Sequence, residues 1–347
     1  MTKPIIPAPT HNATAPGPAP LPAQHATAAA GPKMDGVSWA ILLVLSLLWG
    51  GSFFFTEIAL RDLPPFTLVL ARVALASVIL WLVIAARRIQ LPRSRAIWIS
   101  FLIMGLLNNL VPFSLIVWSQ TYIASGLAAI LNATTPLFTL LIAHIATDNE
   151  KLSARKITGV VTGFIGVLIV TGIPALGAIN PAANIPGDEG LSLAAIAPFA
   201  VLIAALSYGC AGVFGRRFKN TPPIVTAAGQ TTASSLMLVP LVCLVDAPWT
   251  LPFPTLPTWL AVVGIASVST ALAYILYFKL LRRAGASNLA LVTFLIPVSA
   301  ILLGFFFLGE ALAANDIAGM LIIGVGLAII DGRPLAGLRH LGKSLTR

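Results

Sequence analysis

Ten long apolar runs, separated by short polar, proline or glycine breaks, dominate the sequence from residue 37 onward. A helix of about 20 residues spans the hydrocarbon core of a bilayer, so each run is long enough to cross a membrane. The runs are continuously apolar and lack the two-residue alternation of barrel strands, which favours helices. The sequence therefore predicts an all-α integral membrane protein with ten transmembrane helices. The predicted spans cover residues 37–58, 65–86, 96–119, 122–146, 155–173, 191–214, 223–245, 257–280, 287–309 and 312–331.

The composition and the placement of charge support the same fold class. Only 9% of the 347 residues are charged and 58% are hydrophobic, whereas soluble domains carry about 25% charged residues. All of the 21 Lys and Arg residues except Arg61 and Arg72 precede the first run, follow the last or fall in alternate loops. By the positive-inside rule, both termini are predicted to be cytoplasmic. The net charge of +10 thus points to a lipid bilayer rather than a nucleic acid as the partner. The opposite loops hold Glu57, Asp62, Asp188, Glu189, Asp246, Glu310 and Asp316.

The two ends of the chain differ in composition from the spans. Residues 4–30 are rich in Pro, Ala and Thr and carry no charge, a composition that cannot offset the entropy of ordering. Residues 337–344 match the phosphate-loop pattern, but no strand precedes them, so no nucleotide cofactor is expected. Met1 and Met34 both remain candidate translation starts. The predicted organisation is a disordered cytoplasmic tail at 1–33, a first five-helix repeat at 34–173, a periplasmic linker at 174–190, a second five-helix repeat at 191–332 and a basic cytoplasmic tail at 333–347.

The chain contains an internal repeat with a period near 160 residues. This shift places Glu150 on Glu310 and Gly166 on Gly326, and slightly different shifts place Arg72 on Gln230. Because five helices is an odd number, the second copy enters the membrane from the opposite side. Many secondary transporters have such inverted repeats, with a substrate site between them. The alternative is that the duplication only built a larger bundle.

Several motifs occur in residues 37–332. These motifs are Trp49-Gly50-Gly51-Ser52-Phe53, Arg72, Pro136 with Glu150-Lys151-Leu152, and Pro297 with Leu308-Gly309-Glu310-Ala311-Leu312. With them, this part of the chain resembles the EamA branch of the drug/metabolite transporter superfamily. The first copy departs from the pattern, because Thr147-Asp148-Asn149 replaces the glycine-containing turn. The resemblance implies a bacterial inner-membrane transporter of small molecules, with amino-acid export as the first expectation. Another organic solute or a drug, and a channel or lipid flippase on the same helices, remain alternatives. We expect a monomer or a weak homodimer.

Polar side chains within the spans are the first candidates for a substrate site, because burying them in hydrocarbon is costly. Arg72 could bind a substrate carboxylate through two parallel hydrogen bonds. Alternatively, it pairs with Glu57 or with backbone carbonyls, or extends outward. The remaining polar candidates are Asn108 and Asn109 in span 3, Asn132 and Thr135 in span 4, and Gln230, for all of which interhelical hydrogen bonding is the alternative.

Aromatic side chains form the second candidate group. Trp49 lies in the middle of span 1, where a position at the membrane interface does not explain it. A cavity lined by Trp49, Phe113, Tyr274 and Tyr277 could accept an apolar or aromatic substrate. Packing is the alternative role for each ring.

Catalytic and metal chemistry find no support in the sequence. None of the histidines, which are His11, His25, His144 and His340, neighbours a carboxylate in the middle of a span. We therefore expect no enzyme activity, no metal and no cofactor. Because no span carries Asp or Glu near its middle, we expect alternating access without a central carboxylate, with Glu57 and His144 as the remaining proton-site candidates. Glu150 and Glu310 are expected to cap helices or stabilise turns.

Overall fold

The computed structural model describes residues 34–146, 152–177, 189–289 and 291–331, which form a bundle of helices. Among these residues, nine helices are long and apolar enough to cross a membrane, and α9 is a shorter apolar helix. The predicted all-α membrane fold is confirmed. Both predicted tails and residues 178–188 of the predicted linker lie outside the described part of the chain. The helices are α1 (Gly36–Ala59), α2 (Pro65–Ala86), α3 (Arg95–Ser119), α4 (Ser125–Ala146), α5 (Ala154–Gly177), α6 (Glu189–Phe214), α7 (Pro223–Val245), α8 (Leu256–Gly285), α9 (Val292–Leu308) and α10 (Ala314–Asp331).

Helix pairing follows the repeat. Helix α1 packs on α8 and α9, and its counterpart α6 packs on α3 and α4. Helix α2 packs on α7 and α8, while α7 packs on α2 and α3. Helix α5 packs on its own counterpart, α10. Each pairing maps onto another, or onto itself, when the halves are exchanged, as an approximate two-fold relation between them requires.

Carboxylates from one half cap helices of the other half at one end of the bundle. Asp62, which follows α1, accepts hydrogen bonds from the Thr255 N–H (2.7 Å), the Thr255 hydroxyl (2.6 Å) and the Thr258 hydroxyl (2.7 Å) at the start of α8. Asp246, which follows α7, accepts from the N–H and hydroxyl of Thr67 in α2 (2.6 and 2.8 Å). The end of α1 therefore meets the start of α8, so the two halves have opposite orientations. We call this the acidic end.

Glu310 makes a third contact of this kind. Its carboxylate accepts hydrogen bonds from the Ser125 N–H (3.0 Å), the Ser125 hydroxyl (2.8 Å) and the Gly126 N–H (3.2 Å) at the start of α4. These donors are among the N–H groups that a helix start leaves unpaired, and the negative charge also suits the helix dipole. The expected capping role of Glu310 is confirmed. Glu150, its repeat partner, lies outside the described residues.

Prolines shape α3 and α4, which carry the predicted candidates Asn108, Asn109, Asn132 and Thr135. Pro112 has no N–H to donate to the carbonyl four residues earlier, and a π-helical turn, Leu106–Leu110, precedes it in α3. The hydroxyl of Ser207 donates to the carbonyl of Leu107 in this turn (2.7 Å). In α4, Pro136 follows a break between Ser125–Asn132 and Thr135–Ala146. A second π turn, Ser267–Leu272, occupies the matching part of α8.

Candidate substrate site between the two halves

Arg72 is a buried cation at the contact between α2 and the other half. It is 7% exposed, and its Nε donates a hydrogen bond to the Thr270 hydroxyl on α8 (3.1 Å). The guanidinium carbon lies 3.8 Å from the centroid of the Phe113 ring on α3, a cation–π contact. Among the described residues, no carboxylate lies within ion-pair distance of Arg72, and its terminal amino groups have no hydrogen-bond partner. The alternative that Arg72 pairs with Glu57 is therefore wrong.

Gln230, the repeat partner of Arg72, makes the equivalent contact from the second half to the first. It is 2% exposed on α7, and its Oε1 accepts a hydrogen bond from Asn108 Nδ2 on α3 (3.1 Å). Arg72 thus joins the second helix of one half to the third helix of the other, and Gln230 does the same from the other half. Both of these contacts involve a π turn, because Asn108 and Thr270 lie within one each.

Tyr274 is near both contacts, because it bonds to Asn108 and lies within electrostatic range of Arg72. Its hydroxyl accepts a hydrogen bond from Asn108 Nδ2 (3.2 Å) and donates to Asn109 Oδ1 (3.2 Å). Asn109 is fully buried, and its Nδ2 donates to the Ser234 hydroxyl on α7 (3.3 Å). For Asn109 the alternative prediction of interhelical hydrogen bonding is confirmed. We call Arg72, Thr270, Asn108, Gln230 and Tyr274 the central polar network.

Aromatic rings border this network. Trp49 on α1 and Tyr277 on α8 lie with ring centroids 5.6 Å apart, and Tyr277 meets Phe278 edge-on at 5.0 Å. Phe278 in turn stacks on Tyr274 with centroids 6.5 Å apart. Ring contacts therefore link Trp49, Tyr277 and Tyr274 through Phe278, whereas Phe113 contacts Arg72 and Tyr208. A substrate cavity lined by these rings stays a prediction.

Tyr208 on α6 is a further member that the sequence analysis did not select. Its ring contacts Phe113 edge-on, with centroids 6.5 Å apart, and its hydroxyl lies within electrostatic range of Arg72. The repeat itself could have identified Tyr208, because Tyr208-Gly209 occupies the position of Trp49-Gly50 in the second half. Each half thus contributes an aromatic side chain from its first helix.

Asn132 and Thr135 do not join the network within the described part of the chain. The Thr135 hydroxyl donates to the carbonyl of Asn132 (2.8 Å), a hydrogen bond within α4 that joins the two sides of its break. Asn132 Oδ1 is buried without a hydrogen-bond partner. The Thr135 hydroxyl therefore serves the break between the two parts of α4, which lies just before Pro136.

Comparison with known proteins identifies the family. The model of the EamA-like transporter family matches residues 36–172 and 195–331. The chain is 27% identical to the uncharacterized transporter YoaV of Bacillus subtilis, over 82% of this chain and 94% of YoaV. It is 25% identical to Protein PecM of Dickeya dadantii, over 86% of this chain and 93% of PecM.

Two further comparisons agree with that match. The uncharacterized inner membrane transporter YedA of Escherichia coli K12 is 24% identical over 78% of this chain and 83% of YedA. A solved crystal structure shares the fold with a TM-score of 0.58 and 19% identity, over 86% of this chain and 98% of that one. The family match covers both halves of the chain. This multi-pass membrane protein therefore belongs to the EamA-like transporter family.

Proposed function

We propose that the chain exports small carboxylate-bearing metabolites, with amino acids as the first candidates, and that Arg72 binds the substrate carboxylate. The observation that carries this proposal is the buried guanidinium, which has no carboxylate partner among the described residues. Removing a charge from water costs several kcal/mol, which a partner of opposite charge offsets. A carboxylate fits the two free terminal amino groups of a guanidinium with parallel hydrogen bonds.

The rest of the network suits the other groups of an amino acid. The rings of Trp49, Tyr277 and Phe278 offer an apolar, aromatic surface to a side chain. The same ring faces attract a cation, so they also suit the substrate ammonium. This arrangement favours amino acids with apolar or aromatic side chains over those with a second carboxylate, which would find no further cation in the described network.

We further propose that transport proceeds by alternating access. In inverted-repeat carriers, one half rocks against the other around a site near the bilayer midplane. The contacts of Asp62, Asp246 and Glu310 with the opposite half are those that such a motion would break at the acidic end. With both termini in the cytoplasm of a bacterial inner membrane, the acidic end faces outward. The working unit is a monomer or a weak homodimer, and the proposed activity is transport rather than catalysis.

Uptake into proteoliposomes of purified protein tests the proposal. Labelled amino acids, their decarboxylated amines and uncharged nucleosides are compared in parallel. We expect saturable uptake of particular amino acids and none of the matching amines, and we expect Arg72→Gln to abolish it while the protein stays monodisperse. Transport of the amines or nucleosides with Arg72→Gln unaffected would contradict carboxylate binding and favour a carrier of other solutes or drugs. Transfer of labelled lipid between leaflets would instead indicate a flippase.

A further inference from the structure

A second group of polar side chains lies at the acidic end, apart from the central polar network. Glu57 is half-buried in the last turn of α1. Gln120, at the end of α3, is 3% exposed, and its Nε2 donates to the carbonyl of Phe53 (3.0 Å) and, at a long 3.5 Å, to Glu57 Oε2. The carboxylate of Glu310, from the other half, is near enough for its charge to act on Glu57. We call Glu57, Gln120 and Glu310 the acidic-end cluster.

This cluster has too few hydrogen-bond donors. Gln120 Oε1 is buried and has no partner, which is costly because a buried acceptor loses its water without replacement. The carboxylate of Glu57 receives only the long bond from Gln120 in the described structure. Two acceptor groups, Gln120 Oε1 and the Glu57 carboxylate, therefore receive only one long hydrogen bond from the described residues, whereas Glu310 receives three donors from the start of α4.

Negative charge also exceeds positive charge at the acidic-end cluster. Glu310 is engaged by the start of α4, and Gly304 allows this approach because a Cβ there would collide with the Glu310 carboxylate. Arg61 is the cation that acts on Glu57, and its side chain is exposed to solvent, where screening weakens its effect. Two carboxylates, one from each half, thus lie at the boundary between the halves within range of each other's charge.

We propose that Glu57 binds a proton and that this proton holds the acidic end closed. When Glu57 is ionised, its repulsion from Glu310 opposes the contact between the halves. When Glu57 is protonated, the repulsion disappears and the carboxyl group adds a donor to a cluster that lacks donors. Because the closed state brings the two carboxylates together, it binds the proton more tightly than the open state, and by linkage the proton favours closure.

The consequence for transport is a link to the proton gradient. A proton bound from the outer side at Glu57 would favour the closed acidic end, and its loss would favour opening. This inference goes beyond the proposed substrate, because it requires no particular cargo. It also differs from a central carboxylate mechanism, since Glu57 lies near the end of α1 rather than at the substrate site.

A distance measurement in the absence of substrate tests the proposal. Spin labels are placed on the exposed positions Thr121 and Asn315, one in each half at the acidic end, in a background with Cys210→Ser and Cys243→Ser. Double electron–electron resonance then reports the distance between the labels in lipid nanodiscs. On raising the pH from about 5 to about 8, we expect the ratio of open to closed populations to rise about fivefold or more, within the usual range of coupling between sites.

Glu57→Gln is the decisive variant, because the amide has the size of the protonated carboxyl group. It should hold the short distance at every pH. Asp62→Asn is the matched control, since Asp62 also caps a helix of the other half, and the hydroxyls of Thr255 and Thr258 hold its pKa below its usual range. This control is expected to keep the pH dependence, even if the open population rises overall. Retained pH dependence in Glu57→Gln would overturn the proposal.

Infrared difference spectra give a second, independent readout. Acidification should add the carbonyl band of a protonated carboxylic acid, and Glu57→Gln should remove that band. If sodium at constant pH changes the distance and Glu57→Gln abolishes the change, the bound cation is sodium and the assignment of a proton is wrong. A pH-independent distance in the unmodified cluster would also refute it. Neither experiment depends on whether amino acids are transported.

Discussion

Arg72 and Gln230 occupy equivalent places in the two halves, yet their surroundings differ. Each lies on the second helix of its half and bonds to a π turn in the third helix of the other half. Gln230 Oε1 accepts a hydrogen bond from Asn108 Nδ2, so this contact joins two neutral side chains. Arg72 uses one of its N–H groups on Thr270 and rests the guanidinium on Phe113. The fold thus supplies two related positions, and the residue types make one of them a cationic site.

This difference suggests a division of roles under the proposed function. The Gln230 contact pairs donor with acceptor between α7 and α3, which stabilises the interface between the halves. The Arg72 contact leaves a buried charge without a counterion in the described structure, which costs stability unless a ligand supplies one. We therefore expect substitutions at the two positions to affect different quantities.

The largest effect is expected when the two positions are made alike. Arg72→Gln removes the cation, so uptake should fall at least about thirtyfold, because truncating one partner of a buried charge pair costs about 2 kcal/mol or more. Thermal stability should stay the same or rise, since the buried charge is gone. Initial uptake rates and melting in detergent measure the two quantities. Arg72→Lys is the matched control and should keep part of the activity. A large loss of stability without loss of uptake would contradict the substrate role.

The converse effect is expected at Gln230. Gln230→Ala leaves the Nδ2 of Asn108 without one of its acceptors, so the free energy of unfolding should fall by about 2 kcal/mol. Substrate affinity should change less than in Arg72→Gln, because the cation remains. Chemical or thermal unfolding together with substrate titration separates the two effects. If Gln230→Ala abolished binding while the fold stayed intact, Gln230 would be a substrate ligand and the proposed division of roles would be wrong.

The sequence predicts the fold better than it predicts the site, for a physical reason. A span must contain about 20 apolar residues, so its position is visible in the chain, and the predicted spans agree with the helices to within a few residues. The largest shifts are at the start of α9, which is Val292 rather than 287, and at the end of α8, which is Gly285 rather than 280. Helix α4 starts at Ser125 rather than 122, because residues 120–124 form a turn in which Ile123 N donates to the carbonyl of Ser119 (3.0 Å).

Side-chain orientation within a span is harder to predict. A transmembrane helix is apolar on all sides, so hydrophobic periodicity does not distinguish the lipid-facing side from the interior. Arg72 and Gln230 are predicted because polar groups in hydrocarbon stand out, and Tyr274 because it is one of four aromatic residues that could line a cavity. Asn132 and Thr135 stand out equally, yet Thr135 bonds locally across the break before Pro136. The π turns and the acidic-end cluster depend on contacts between distant helices, which residue types alone do not reveal.

Two glycines on the third helices of the two halves give a finer comparison. A Cβ at Gly105 on α3 would lie 2.7 Å from the backbone oxygen of Gln230, whereas a Cβ at Gly264 on α8 would meet the Phe55 ring at 3.0 Å. Backbone cannot move aside as a ring can, so Gly105→Ala should cost about 1 to 2 kcal/mol of stability and Gly264→Ala less. Parallel melting curves of the two variants test the order. Equal losses would show that the two halves tolerate the substitution alike.

The smallest effect is expected at the opposite end of the bundle, where an exposed ion pair joins the two halves. Arg283 donates to the carboxylate of Asp35 (2.7 Å) across the two halves. Hydrogen bonds from Ser38 lower the pKa of Asp35 to about 2. Because the pKa of Asp35 is lowered, its ionised carboxylate stabilises the fold at pH values above its ordinary pKa. This stabilisation is lost only as the pH falls through about 2. Between about pH 5 and pH 8, this contact should therefore not respond to pH.

Asp35→Asn tests that contrast between the two ends. Because the pair is exposed and screened, the melting temperature should change little, and any pH dependence of the distance at the acidic end should remain as it is in the unmodified protein. Melting curves and distance distributions at both pH values measure these outcomes. If Asp35→Asn removed the pH response, the switch would lie at the Arg283 end, and the asymmetry that places proton binding at Glu57 would be lost. A preserved response would assign pH sensing to the end where carboxylates of both halves meet.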